Sequence, residues 1–136
     1  MPINFVPERG RLLICDFDRA RVPPENSKIR RVVVLSPRSY NERHGAGFGR
    51  CIVIPFSTTR PVILRPSDVF FASGQYRALS KDTWANCGSV ATVSHARLDR
   101  VYVGHGSYSD ELLADADCRR IEIGLCHAVG LVVAGN

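Results

Sequence analysis

Three apolar runs set the plan of the first half of the chain. Residues 12–17, LLICDF, are apolar at odd and even positions alike until Asp16, the pattern of a strand buried on both faces. Val32, Val33, Val34 and Leu35 form a second run, and Cys51, Ile52, Val53 and Ile54 a third. Each is rich in β-branched residues and bounded by polar or turn-forming ones, which predicts two more short buried strands. Residues 69–71 predict a further strand, and residues 84–93, WANCGSVATV, another. Residues 94–103 read as a turn and a short extended piece. The period then changes. Ala114, Cys118, Ile121, Leu125, Ala128 and Val132 are spaced by three and four, one stripe of a helix. Ser107 or Ser109 is the expected N-cap, Asp110 and Glu111 suit the positive first turn, and Gly130 is the expected stop. The chain is therefore mainly β with a C-terminal helix, five or six short strands in all, and forms a single domain over residues 1–136.

Composition adds limits. At 45% hydrophobic and 23% charged residues, the chain has the balance of an ordinary globular domain. Residues 1–11, MPINFVPERGR, lack the pattern of a basic start followed by an apolar h-region, so no secretory signal is expected. The longest apolar stretch, residues 121–133, is broken by Glu122 and His127 and falls short of the roughly 20 residues that span a bilayer. A cytoplasmic protein away from membranes is expected. The net charge of +5, with sixteen Arg and only two Lys, favours a polyanionic partner. Cysteines 15, 51, 87, 118 and 126 are odd in number and lack zinc-site spacing. They read as reduced, mostly buried thiols, and neither a metal nor a cofactor is expected.

The candidate chemistry lies in residues 28–59. Arg30 and Arg31 open the second strand, and Ser57, Thr58 and Thr59 close the third. If these strands are antiparallel neighbours, guanidinium and hydroxyl groups meet at one end of the sheet, a natural place to hold a phosphate. Residues 18–29, with Pro23 and Pro24, form a loop leading to Arg30. Gly45, Gly47 and Gly49 fit no phosphate-binding motif and mark a hairpin end. Asp16 and Asp18 read as solvated, Glu25 as a loop acid able to reach Arg30, and His95 as an ordinary exposed histidine. The fully apolar first strand offers more surface than one helix can cover, which favours a homodimer.

The segments Phe5-Val6-Pro7-x-x-Gly10, Asp16-Phe17-Asp18, Arg30-x-Val32-Val33-Val34-Leu35-Ser36 and Ile54-Pro55-Phe56-Ser57-Thr58-Thr59 resemble, in this order, the MazF/PemK toxins. Trp84, Thr92-Val93-Ser94 and Arg97-Leu98-Asp99-Arg100 are similar to a longer PemK-like subgroup. The resemblance implies an SH3-like small β-barrel of the MazF/PemK/CcdB type, usually homodimeric. It also implies a metal-independent endoribonuclease that cleaves single-stranded RNA through its own 2′-hydroxyl, restrained by an acidic antitoxin. By the same resemblance Arg30 is the catalytic arginine and Ser57 the hydroxyl residue beside it, with Arg31, Thr58, Thr59, Asp16 and Glu25 along the RNA groove. Asn86 and Gly88 stand where many members carry a cation and a carboxylate, and Arg31 replaces a common proline. A catalytically degenerate RNA- or protein-binding module of the same fold is therefore the alternative. A gyrase-poisoning role of the CcdB kind is disfavoured, because the only tryptophan, Trp84, is far from the last helix.

Overall fold

A computed structural model describes residues 2–17, 28–42 and 49–132. Strand β1 (Leu12–Asp16) pairs antiparallel with β2 (Ile29–Val34), Leu12 opposite Val33 and Cys15 opposite Arg30. After the short helix α1 (Arg38–Asn41), β3 (Arg50–Ser57) returns antiparallel to β2, with Val32 opposite Pro55 and Val34 opposite Val53. Strands β4 (Asp68–Phe71), β5 (Thr83–Asn86), β6 (Ala91–Ser94) and β7 (Leu98–Asp99) complete a sheet ordered β4-β5-β3-β2-β1-β7, with β6 also beside β3. A separate hairpin joins β8 (Tyr102–Gly104) to β9 (Ser107–Tyr108), and helix α2 (Asp115–Val129) follows. This is the mainly β plan with a C-terminal helix that the apolar pattern predicts. Among the described residues the barrel is not closed: β4 and β7 end the path.

The both-face apolarity of β1 has a direct structural counterpart. Leu12 enters a core with Val33, Ile54, Phe56, Phe71 and Ile121 of α2. Leu13, Cys15 and Phe17 enter a second core with Ile3, Val32, Val34, Val53, Val93 and Leu98. Each face of β1 is thus covered within the chain, so the motive for a second copy does not hold at this strand.

Two local expectations are corrected. Residues 84–93 are not one strand. A 3-10 turn at Cys87–Ser89 separates β5 from β6, and the two pieces pair with β3 in different registers. Gly88 within the apolar run carries the break. Nor does a serine cap α2. Its N-cap is Ala114, with no side-chain cap, and the first-turn acids are Asp115 and Asp117. Ser107 lies in β9, while Ser109 bonds Glu111. Tyr76 does the capping from afar. Its Oη accepts from the Ala114 N–H at 2.9 Å and donates to Asp117 at 2.6 Å, satisfying a helix-end donor that no neighbour reaches. Gly130 does end the helix, at φ 74°, in the left-handed conformation that favours glycine. The buried part of the helical stripe is Cys118 and Ile121; Val132 is exposed.

Burial, then the bond to Asp117, pushes the Tyr76 phenol up to about 12. The unfolded phenol ionises near 10, so the contribution of Tyr76 is complete below pH 10 and is lost as the pH rises towards 12. Tyr76→Phe should lower unfolding stability by about 1–3 kcal/mol at pH 7. Urea melts at pH 7 and pH 11 should show the wild type losing more stability between the two than the variant does.

Candidate functional site

The site predicted at the entrance of β2 and the exit of β3 lies where the ladder between these strands runs out. Pairing of β2 with β3 begins at Val32 opposite Pro55. Carried two places further, that register would set Arg30 opposite Ser57. Pro55 has no N–H to extend the ladder, and β3 instead turns to β5, placing Ser57 opposite Trp84. Strand alternation puts Arg30 on the face of Val32 and Val34, and Ser57 on the face of Val53 and Pro55, which is the same face. Arg30 and Ser57 share a face by alternation, but no pairing joins them: the ladder between their strands ends at Val32 and Pro55.

Arg30 is half-buried, and its Nε is buried without a hydrogen-bond partner among the described residues. A buried cationic donor left unpaired costs more than the ~1–3 kcal/mol of a neutral one, so this group is suited to an anion. Ser57 Oγ accepts from the Thr59 N–H at 3.1 Å in a tight hydroxyl turn, which leaves its own O–H free to donate. Thr58 and Thr59 are exposed.

The other candidates do not join this pair. Arg31 belongs to the opposite face, where its Nε donates to the Ala78 carbonyl at 2.6 Å. That contact ties β2 to the turn before β5. Asp16 also lies on the opposite face, lining a pocket of about 280 Å3 with Ile29, Arg97 and Asp99, and its carbonyl accepts from Arg97 at 2.9 Å. Glu25, Asp18 and the loop of residues 18–27 lie outside the described residues, as do Gly45 and Gly47. His95 is corrected: it is fully buried. Its backbone N–H donates to the Gly49 carbonyl at 2.9 Å, and a Cβ on Gly49 would stand 2.6 Å from the imidazole Cε1. The missing side chain of Gly49 makes room for the ring.

Beside Ser57 opens a pocket of about 470 Å3, lined by Thr59, Arg60, Arg65, Asp68, Trp84 and Asn86 among others. Arg60, Arg65 and Asp68 belong to none of the motifs visible in the sequence. The available signal was an aromatic at an outward strand position. Asn86 and Gly88 flank this pocket and the turn beyond it, and the Asn86 amide donates to Ser89 Oγ at 2.9 Å. Among the described residues, no three His, Cys, Asp or Glu side chains are grouped to hold a metal, and no helix is long and apolar enough to cross a membrane.

The family model for the PemK-like, MazF-like toxin of type II toxin–antitoxin system matches residues 8–126. The chain belongs to this family. This PemK-like chain is 31% identical to the protein YifN of Escherichia coli (strain K12), over 97% of its own length and 99% of the relative's. Its fold is that of MazF: it superposes on MazF from Deinococcus radiodurans with a TM-score of 0.69 at 18% identity, covering 94% of this chain and 100% of the other. It also matches a mycobacterial endoribonuclease solved in complex with its cognate antitoxin, at a TM-score of 0.63 and 22% identity, covering 93% of this chain and 98% of the other.

Thiol chemistry plays no part in this site. Burial pushes the Cys51 and Cys87 thiols of the PemK-like chain up to about 12, and Cys15 and Cys118 are buried. Only Cys126 is partly accessible. Iodoacetamide at neutral pH should therefore modify Cys126 first, the other four thiols reacting only after denaturation, as peptide mass mapping would show.

Proposed function

We propose that this chain is an endoribonuclease toxin that cuts single-stranded RNA without a metal, with Arg30 and Ser57 at the scissile phosphate. The observation that carries the reading is the Arg30 guanidinium, whose buried Nε has no acceptor among the described residues, on the strand face it shares with Ser57. The RNA's own 2′-oxygen attacks the adjacent phosphorus while the bond to the 5′-oxygen breaks. A 2′,3′-cyclic phosphate and a 5′-hydroxyl result, the leaving oxygen taking up a proton. The protein's task is to align the strand and stabilise charge gathering on the phosphoryl oxygens. Arg30 suits this through a fork of parallel donors, and Ser57 donates to the same phosphate or to the leaving oxygen.

The family and the antitoxin complex of the mycobacterial neighbour support two partners. One is an acidic antitoxin, which the +5 charge favours; the other is a second copy of the chain. The apolar surface available for a homodimer or an antitoxin lies away from β1. Val62, Ile63 and Leu64 are exposed in the connection after β3, and because Val62 and Ile63 also line the pocket beside Ser57, a protein partner seated there would compete with RNA. A cytoplasmic setting fits an RNA-cutting toxin. Light scattering with size-exclusion chromatography at micromolar concentration should give twice the chain mass, and binding to an acidic antitoxin should weaken as salt rises.

The decisive test is cleavage of a long unstructured RNA. Arg30→Ala should lose about 100- to 1000-fold in rate while remaining folded, and Arg30→Lys should recover only part. Ser57→Ala should cost less, and Ser57→Thr should be tolerated. Activity should persist in EDTA. Cleavage that needs a divalent metal, or that survives Arg30→Ala, would move the site elsewhere. RNA binding without any cutting would favour the degenerate module, for which Asn86 and Gly88 are the motive.

A further inference from the structure

The outward face of the β3-β5-β4 corner carries an arrangement that a hydroxyl and an arginine do not explain. Ser57, Trp84 and Phe70 lie in one cross-strand row, and Asn86 and Asp68 in the next row on the same face. Their neighbours Phe56, Ala85 and Val69 alternate into the core. Phe70 and Trp84 contact each other with ring centroids 5.2 Å apart, yet Phe70 is 40% exposed. The two ring planes are tilted by 50°, so it is the Trp84 ring, which lines the adjacent pocket, that is the candidate face for a flat ligand.

The pocket over this platform has the chemistry of a nucleotide site. Its volume of about 470 Å3 lies in the range of small-ligand pockets. Arg60 and Arg65 line it, and neither guanidinium is bonded or ion-paired to the protein among the described residues. At the floor, Asp68 Oδ2 accepts from the Arg65 backbone N–H at 3.1 Å, which fixes the carboxylate and leaves Oδ1 open. The Asn86 amide nitrogen gives one of its two N–H groups to Ser89, so the second N–H and the amide oxygen both remain for a ligand. A carboxylate acceptor beside an amide that both donates and accepts selects a base edge with donors next to an acceptor. Guanine offers adjacent ring and amino N–H groups, whereas uracil offers one N–H between two carbonyls.

We infer that Trp84 is a stacking platform for an unpaired guanine next to the phosphate held beside Ser57, with Asp68 and Asn86 reading its edge and Arg60 and Arg65 gripping the flanking backbone. This deepens the ribonuclease reading and rests on it for the identity of the ligand as RNA. Stacking on an aromatic is worth about 10- to 100-fold in affinity per base.

Trp84 is the only tryptophan, so intrinsic fluorescence reports on this one position. The probes are short 2′-O-methyl oligouridylates with and without one guanine. They lack the attacking hydroxyl and cannot be cut, and their binding to the full chain is followed in parallel by anisotropy of an end label. The guanine probe should quench Trp84 and bind about tenfold more tightly than uridylate alone. Trp84→Ala should weaken the guanine probe by about 10- to 100-fold, Trp84→Phe should recover most of that loss, and Asp68→Asn should erase the guanine preference. Circular dichroism melts of each variant confirm folding. Unmodified RNA is assayed for cleavage alongside. If the wild type cuts RNA but the probe neither quenches Trp84 nor depends on it, the platform is overturned and the ribonuclease reading stands. If nothing is cut while the guanine probe quenches, the ribonuclease reading falls and the platform stands.

Discussion

The structure depends on one constraint: β1, β2 and β3 bury residues on both of their faces. Val32 and Val34 pack with Leu13 and Cys15 on one side, while Val33 packs with Leu12 and Ile54 on the other. A slip of one residue would exchange the two sets and spoil both cores at once, so the register is firmly held. That register carries Arg30 to the end of β2, and the switch of β3 at Pro55 opens the sheet just there. The proposed site is placed by core packing two residues away, on strands whose side chains have little room to move.

The described arginines are held in different ways. Arg9, Arg11, Arg31, Arg97 and Arg120 donate to the carbonyls of Leu35, Ser109, Ala78, Asp16 and Phe70. These guanidiniums bridge separate segments, a task for which a planar fork suits better than an ammonium, and this gives the predominance of Arg over Lys a partly structural cause. Arg30, Arg60 and Arg65 have no such carbonyl among the described residues. Arg60 and Arg65 line the pocket beside Ser57, and Arg30 lies on the same face of the sheet. The net +5 is therefore a poor measure of how much cation is available to a polyanion; the arrangement around the β3 exit is the better one.

The sequence by itself determined a good deal. The apolar runs at residues 12–17, 32–35 and 51–54 located three strands, because a buried strand must be apolar wherever it meets a core. The three-and-four spacing from Ala114 located the last helix, Gly130 its end, and the ordered motifs around Arg30 and Ser57 the family. What only the tertiary structure decided lay in contacts between residues distant along the chain. Gly88 looked like one more residue of a strand until the two pieces beside β3 took different registers. A serine looked like the helix cap, but Tyr76, 38 residues before Ala114, supplies the oxygen. His95 looked exposed, and Gly49 lets it in. The resemblance places Arg31 beside Arg30 along the RNA groove, and the alternation of one strand sends it to the opposite face. Adjacency in sequence records the period of a strand or a helix, whereas burial and hydrogen-bond partners depend on which segments the two cores bring together.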